Sequence, residues 1–322
     1  MHLESAREIK AELRREAARV RPVPVEPRTV SGGVAVGICV RGSGTYGVAV
    51  RSFGRSELTD FVSVRGQELA GDECDVRDVG IVRALQWDPA ELQRRQRPLR
   101  PGLSVAHVDV TAGTLGAFVT SADGDGTDLQ ILSNNHVLAN SGQARVGDAV
   151  TQPGAADGGT DPADRVGTLS QVIELRTDGT NVVDAATAEL AEGSEIEPAY
   201  PSGVLDSWSD VRDDLEVEKV GRTTGTTRGR VTAIEVDDVG VEYPIGVVDF
   251  ENQIEVGGIG GSAFSAGGDS GSMVYDVAGR SGVGLLFAGS ERGGEDGLGL
   301  TYCNPIGDVL RMLGVRLVAG EG

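Results

Sequence analysis

The chain has 322 residues, of which 39% are hydrophobic and 4% aromatic, and 48 are glycine. That length can bury a sizeable core and form two domains, while so much glycine beside so few aromatic residues favours short strands and turns over a helical bundle. A formal net charge of -20 excludes nucleic acid and an anionic membrane surface as expected partners.

The sequence lacks visible targeting signals, which predicts a cytoplasmic protein. Residues 1–8 are charged and lack the apolar core of a secretory signal. No apolar run approaches the roughly 20 residues that a membrane helix needs. Cys39, Cys74 and Cys303 form an odd, scattered set rather than the paired framework of small secreted folds. We therefore expect reduced thiols, a cytoplasmic location and no membrane partner.

Residues 1–28 are predicted to form a helix followed by a linker. Apolar residues recur at three- to four-residue spacing over residues 3–20, as in an amphipathic helix. The proline-rich stretch at 21–27 then ends the helix. The apolar stripe fits packing on its own chain, which we favour, and it also fits contact with a second copy. A homo-oligomer through the N-terminal region therefore stays open.

Residues 29–100 are predicted to form a small mixed α/β domain. Strand-like runs occupy residues 34–40, 46–51 and 73–79, and the Gly-Ser-Gly at 42–44 is a hairpin turn signal between the first two. The residues leave open whether this domain inhibits, recruits substrate or builds an oligomer.

A glycine-rich turn carries the most distinctive chemistry in the chain. Residues 267–272 read GGDSGS, so Ser270 lies in a tight turn beside a carboxylate. The backbone N–H groups of Gly268 and Ser270 could form the oxyanion hole of an acyl-transfer enzyme. A serine is a weak nucleophile by itself, so the interpretation needs a base and an orienting acid elsewhere.

The chain offers three histidines as the base. His2 lies at a terminus that is expected to fray, and His107 lies in a strand-like run where a structural role suffices. His136 follows the hydrophobic run at 129–132, as expected of a base held at the rim of a barrel. Taken alone, His136 fits either a structural histidine or the catalytic base.

Asp184 is the best candidate for the acid. It is embedded in small and apolar residues over 181–190, so we expect it to be buried and paired. A strand-end cap is its alternative role. The order of His136, Asp184 and Ser270 along the chain distinguishes between the known triad arrangements, because only the chymotrypsin arrangement has this order.

The segments around these three residues resemble the chymotrypsin-like (trypsin-like) serine peptidases, in particular their bacterial and archaeal branch. The resemblance covers roughly residues 101–318. The matching segments are SNNHVL at 133–138, NVVDAATAEL at 181–190, GRTTG at 221–225, GGDSGS at 267–272 and GLLFAGS at 284–290. In this family the last of these is the strand that pairs with substrate.

The resemblance implies a mainly β fold of two antiparallel β-barrels, about 101–200 and 206–318, with the active site in the cleft between them. It implies a serine endopeptidase with a polypeptide substrate and no cofactor. By the same resemblance Arg222 is the ion-pair partner of Asp269; the alternative is an exposed arginine in a turn.

The substrate pocket is also inferred from the resemblance. Phe264 stands at the position that forms the base of the primary pocket, so an apolar or small side chain is expected there rather than lysine or arginine. Phe287, Ala288 and Gly289 are expected near its walls. Cys303 fits either the pocket wall or the barrel core.

Two acidic loops could hold a metal ion or form solvated turns. The loop at 123–128, and Asp157 with Asp161 and Asp164, fit solvated turns better than a metal site, so no metal is expected. Residues 304–313 are predicted to form a closing helix. Two functions stay open beside the endopeptidase: a scaffold or binding protein whose cleft is closed by the leading domain, and an esterase that uses the same site.

Overall fold

The computed structural model describes residues 1–20, 32–80, 82–83, 91–124, 126–205, 207–211, 215–294 and 297–318. The predicted linker at 21–27 lies outside these ranges. None of the helices within them is long and apolar enough to cross a membrane.

The leading region is residues 1–100, and its described part contains two α-helices and four strands. They are α1 (Leu3–Val20), β1 (Val34–Gly42), β2 (Thr45–Ser52), α2 (Glu57–Ala70), β3 (Cys74–Asp78) and β4 (Val82–Arg83). The predicted helix at 3–20 and the three predicted strands are confirmed. Helix α2 is additional, and Ser56 and Thr59 form a capping box at its start.

The apolar stripe of α1 is covered by its own chain. Leu13 and Ala17 pack with Val36 and Val48 of the first two strands in one core cluster, which also takes in α2. The favoured prediction of packing within the chain is therefore confirmed. A homo-oligomer through the N-terminal region stays a prediction.

The first half of the remaining chain forms a curled half-barrel. Its elements are β5 (Ser104–His107), β6 (Gly113–Thr114), β7 (Ala117–Ser121), β8 (Gln130–Ser133), α3 (Asn135–Leu138), β9 (Ala149–Thr151), β10 (Arg165–Val172), β11 (Thr180–Asn181) and β12 (Ala186–Leu190). Strands β7, β8, β12, β10, β9, β5 and β6 are neighbours in that order. Its core is apolar.

The second half contains the remaining strands and a helix. They are β13 (Ala199–Tyr200), β14 (Gly203–Val204), β15 (Ser207–Trp208), β16 (Glu216–Gly221), β17 (Gly225–Asp237), β18 (Val239–Tyr243), β19 (Gly246–Phe250), β20 (Gln253–Gly258), β21 (Met273–Asp276), β22 (Ser281–Ser290), β23 (Leu300–Pro305), α4 (Ile306–Leu313) and β24 (Val315–Leu317). The predicted closing helix is confirmed as α4.

Six of these strands close into a barrel. Each of β16, β17, β20, β23, β22 and β21 pairs antiparallel with the next, and β21 pairs back with β16. Together with the half-barrel this confirms the predicted mainly β, two-barrel architecture. Strand β24, at the end of the predicted second barrel, pairs with β7 and joins the first sheet.

The leading region continues the second sheet. Strand β1 pairs antiparallel with β17, with Ile38 opposite Ile234 and Cys39 opposite Ala233. Strand β2 pairs with β1, and β3 with β2. The region predicted as a separate domain at 29–100 thus shares a sheet with the closed barrel, because backbone hydrogen bonds link them directly.

Candidate active site

His136 and Asp184 are in direct contact at the edge of the first sheet. Helix α3 starts where β8 ends and carries His136, while Asp184 precedes β12, the strand beside β8. His136 Nδ1 lies 2.6 Å from Asp184 Oδ2, and the His136 backbone N–H donates to Oδ1 at 3.2 Å. The Asp184 side chain is fully buried, so its hydrogen bonds to His136 supply the polar partners that such a carboxylate needs.

Three neighbours fix Asp184 in this position. Asn134 Nδ2 donates to its carbonyl at 2.7 Å, and its own N–H donates to Asn304 Oδ1 at 2.9 Å. The Tyr243 hydroxyl donates to Asp184 Oδ2 at 2.6 Å. Tyr243 could not be predicted as a site residue, because nothing in the VEYPIG run around it places it near Asp184 without the fold.

The serine turn, residues 267–272, lies against the first sheet. The Ser270 carbonyl accepts the Thr114 N–H at 2.8 Å. Gly268 has φ +89° and Gly271 has φ +95°, values that L side chains rarely adopt. A Cβ on Gly271 would also clash with Ser133 Oγ, at the end of the strand that leads to His136. Glycine here lets the second barrel bring Ser270 to the junction of the two sheets.

The Ser270 hydroxyl faces a carbonyl rather than the imidazole. Ser270 Oγ donates to the Phe287 carbonyl at 3.4 Å. Among the described residues, His136 Nε2 has no hydrogen-bond partner. The structure therefore brings the His136–Asp184 pair and the serine turn to one junction, and leaves the bond between base and serine unformed.

The predicted oxyanion donors are oriented by their peptide planes. The Gly267 carbonyl accepts a threonine hydroxyl, and the Asp269 carbonyl accepts the Ser272 hydroxyl at 2.6 Å. Because the peptide is planar and trans, the Gly268 and Ser270 N–H groups point away from these contacts. Neither N–H has an acceptor among the described residues, so both can donate to a bound oxygen.

Asp269 is the centre of a buried polar cluster. Its Oδ2 lies 3.0 Å from Lys219 Nζ, and both side chains are fully buried. It also accepts the backbone N–H groups of Thr223 and Thr224 at 2.8 and 3.1 Å, and that of Ala266 at 2.9 Å. Burial lowers the pKa of Lys219, while the Asp269 carboxylate opposes that shift.

The predicted ion pair between Asp269 and Arg222 is wrong. Arg222 instead forms a two-pronged pair with Asp157, with Nε 2.8 Å from Oδ2. Asp157 lies in the first half and also accepts the Ser104 hydroxyl at 2.5 Å. Lys219 lies on β16, three residues before Arg222, and its side chain is the one that pairs with Asp269, a contact that the linear motif does not reveal.

The predicted pocket side chains are buried in cores. Phe264 is 2% exposed and packs inside the closed barrel, in the same cluster as Cys303. Phe287 and Ala288 are fully buried in a second cluster, where Phe287 stacks on Phe250 at 4.6 Å between ring centroids. Of the two predictions for Cys303, the structure favours the core.

Strand β4 lies along the predicted substrate strand. Arg83 is opposite Gly289 and Val82 is opposite Ser290 in antiparallel register on β22. Val82 is fully buried, and the same strand contacts β18 on its other side. The leading region thus occupies an edge of β22 at Gly289 and Ser290.

The acidic loops form internal contacts. Asp161 pairs with Arg165 at 2.6 Å, and Asp164 accepts the Thr160 N–H at 3.0 Å. In the other loop Asp128 accepts the Ser121 N–H at 2.9 Å. Within the described ranges no three His, Cys, Asp or Glu side chains group closely enough to hold a metal ion.

No protein-family model and no curated protein matches the sequence. Solved structures do match. Nocardiopsis protease (NAPase) is 20% identical over 69% of this chain and 100% of its own, with a TM-score of 0.48. Thermobifida fusca protease A is 17% identical over the same shares, 69% and 100%, with a TM-score of 0.47. The chymotrypsin of Cellulomonas bogoriensis is 18% identical, again over 69% and 100%, with a TM-score of 0.45. These three structures are bacterial chymotrypsin-like serine proteases.

Proposed function

We propose that the chain is a serine endopeptidase that hydrolyses peptide bonds through an acyl-enzyme on Ser270. The observation that supports this most is the buried His136–Asp184 pair at 2.6 Å beside the serine turn. The two unoccupied N–H groups of Gly268 and Ser270 add a site for the developing oxyanion. A rotation about Cα–Cβ turns Ser270 Oγ from the Phe287 carbonyl towards the imidazole.

The proposed reaction has two half-reactions. His136 Nε2 takes the Ser270 proton as Oγ attacks the scissile carbonyl, and Asp184 stabilises the resulting imidazolium. The imidazolium then gives that proton to the leaving amine, which leaves an ester on Ser270. Water attacks the ester with the same assistance from His136 and releases the acid.

The proposed preference is for a small or apolar residue before the cleaved bond. The base-of-pocket position is Phe264, so no carboxylate there attracts a basic side chain. Lys219, whose Nζ is 5.9 Å from the Phe264 ring centroid, is already paired with Asp269. A peptide series that varies only this side chain tests the preference, and faster cleavage after arginine than after alanine contradicts it.

The test of the main proposal is labelling of the full chain with a fluorophosphonate probe. Ser270→Ala should abolish labelling, and Ser262→Ala, an exposed serine of the preceding loop, should not change it. His136→Ala should lower the labelling rate about 10²–10⁴-fold, whereas His2→Ala at an exposed position should leave it unchanged. Labelling in the Ser270→Ala variant overturns the proposal.

A second candidate is a restrained peptidase or peptide-binding protein, and the pairing of β4 with β22 favours it. An extended peptide binds most readily by adding a strand to a sheet edge. Here β4 already occupies that edge at Gly289 and Ser290. A polypeptide substrate therefore has to displace Val82 and Arg83 before it reaches Ser270.

Val82→Asp in the full chain separates the two candidates. A carboxylate at this fully buried position should release β4 from β22. The restrained function predicts at least tenfold faster labelling and peptide cleavage, and Val64→Asp, at a position that is 56% exposed, should change neither. Equal rates in wild type and Val82→Asp contradict restraint, and no labelling of either contradicts the enzyme.

A further inference from the structure

Tyr243 is attached to the catalytic pair through a single oxygen. Its hydroxyl donates to Asp184 Oδ2 at 2.6 Å, and the same oxygen lies 2.6 Å from His136 Nδ1. The hydroxyl and the imidazole thus share one oxygen, Oδ2, of a fully buried carboxylate. Oδ1, by contrast, accepts only a backbone N–H among the described residues, at 3.2 Å.

The ring of Tyr243 is held from both sides. It meets the His136 ring edge-on, with centroids 5.7 Å apart, and the Phe250 ring at 6.2 Å. Phe250 belongs to β19, which pairs with β11 through Asn181, three residues before Asp184. The hairpin of β18 and β19 therefore fixes the hydroxyl relative to the carboxylate, because both are tied to the same short stretch of chain.

We propose that Tyr243 is a positioning residue that orients the Asp184 carboxylate and sets how strongly it holds the proton of His136. This rests on the proposed function. Tyr243 touches neither the scissile bond nor Ser270, and it acts only through Asp184.

The direction of the effect follows from the charges around the carboxylate. The titratable groups that contact Asp184 among the described residues are His136 and Tyr243; its other partners are the neutral amides of Asn134 and Asn304. A donor to Oδ2 spreads part of the carboxylate charge, so less of it attracts the imidazolium. Without this hydroxyl, Asp184 binds the imidazolium more strongly, so we expect the acidic limb of the pH–rate profile to move to higher pH.

The hydroxyl stays a donor across the working pH range. Burial, and the neighbouring Asp184 carboxylate, raise the pKa of Tyr243 well above its ordinary value. Tyr243 therefore keeps its proton at neutral and acidic pH. A pH effect of changing Tyr243 then reports on His136 and not on ionisation of the phenol.

The test is the pH dependence of fluorophosphonate labelling in the intact chain. Tyr243→Phe should lower the labelling rate about tenfold at neutral pH. It should also move the acidic limb of the pH–rate profile to higher pH, by about half to one pH unit. Tyr302→Phe is the matched control, because it removes another buried hydroxyl that donates to a carboxylate, Glu255, at 3.3 Å. The control should leave the limb in place.

A second change keeps the test decisive if Tyr243→Phe fails to fold. Substitution of Tyr243 by 3-fluorotyrosine keeps the hydroxyl and strengthens it as a donor, so the acidic limb should move to lower pH. The proton NMR signal of His136 Nδ1–H should move in opposite senses in the two variants.

The experiment distinguishes failure of the positioning role from failure of the peptidase proposal. If wild type is labelled at Ser270 and both Tyr243 variants keep its acidic limb and its Nδ1–H signal, the positioning role is wrong and the peptidase proposal stands. If no form of the chain is labelled, the peptidase proposal fails first.

Discussion

Lys219 Nζ lies 3.0 Å from Asp269 Oδ2, one residue before the proposed nucleophile, and neither side chain reaches solvent. Removing one partner of a buried pair leaves an unpaired charge, so this contact holds the serine turn in shape. The ammonium of Lys219 also reaches the Gly225 carbonyl at 3.3 Å, which anchors it to the start of β17.

The reactivity of Ser270 should decline at alkaline pH because of Lys219. Burial lowers the pKa of this amine below its ordinary 10.5. The charge is therefore fully present below the lowered pKa and is lost as the pH rises through it, before free lysine titrates. The labelling rate, measured from neutral pH to pH ~10.5, should fall in that window.

Lys219→Met should remove this alkaline limb and lower the labelling rate by more than about tenfold at neutral pH. Lys10→Met changes the only other lysine of the chain and should keep the limb. A flat alkaline profile in wild type would mean that the serine turn does not depend on the charge of Lys219.

Arg222→Met should give a different result from Lys219→Met. Arg222 joins the two halves through Asp157, which becomes an unpaired buried carboxylate in the variant. We expect the free energy of unfolding to fall by about 3–5 kcal/mol, with the alkaline limb of labelling retained. Urea denaturation and the pH profile check both points, and loss of the limb would show that Arg222, and not Lys219 alone, supports Asp269.

Gly268→Ala should disable the oxyanion site. The residue has φ +89°, and a Cβ there would lie 2.6 Å from Thr223 Oγ1. The loop must shift to relieve this contact, which moves the Gly268 N–H, and loss of one oxyanion donor lowers rates about 10²–10³-fold. Labelling rates measure the effect.

Gly261→Ala is the matched control for Gly268. It has φ +75°, so it carries the same backbone strain, but a Cβ there meets nothing within 4 Å. It should cost about 1–2 kcal/mol of stability and leave labelling unchanged. Equal loss of labelling in the two variants would assign the effect to strain alone.

Arg51→Ala should destabilise the junction between the leading region and the barrel. Arg51 and Glu255 are both fully buried, with Nε 2.9 Å from Oε2. We expect about 3–5 kcal/mol less free energy of unfolding in urea. Arg51→Met combined with Glu255→Leu should recover most of it, because no charge is left unpaired. Arg165→Ala, in an exposed pair with Asp161, should cost no more than about 1 kcal/mol.

The positions of the candidate catalytic residues could be predicted because short local patterns carry them. The order of His136, Asp184 and Ser270, and the glycines around the serine, need no knowledge of distant contacts. Helix α1 and strands β1 to β3 could also be predicted, because apolar spacing and turn residues are local signals.

The remaining features depend on residues far apart in the chain. Tyr243 meets Asp184 only because the hairpin of β18 and β19 folds back onto β11. Lys219 rather than Arg222 pairs with Asp269, because Lys219 lies on β16 beside β21 and Arg222 follows the end of β16. The pairing of β1 with β17 and the return of β24 to the first sheet leave no mark in local periodicity.

The shared sheet of the leading region and the barrel also has a consequence for synthesis. Arg51 is made 204 residues before its partner Glu255, and β1 is made long before β17. Strand β1 therefore waits with an open edge until β17 is made, and such distant pairings form slowly. Nascent chains halted before residue 255 should be cut readily by added protease within residues 32–80, and resistance there should follow only when β17 and β20 have emerged.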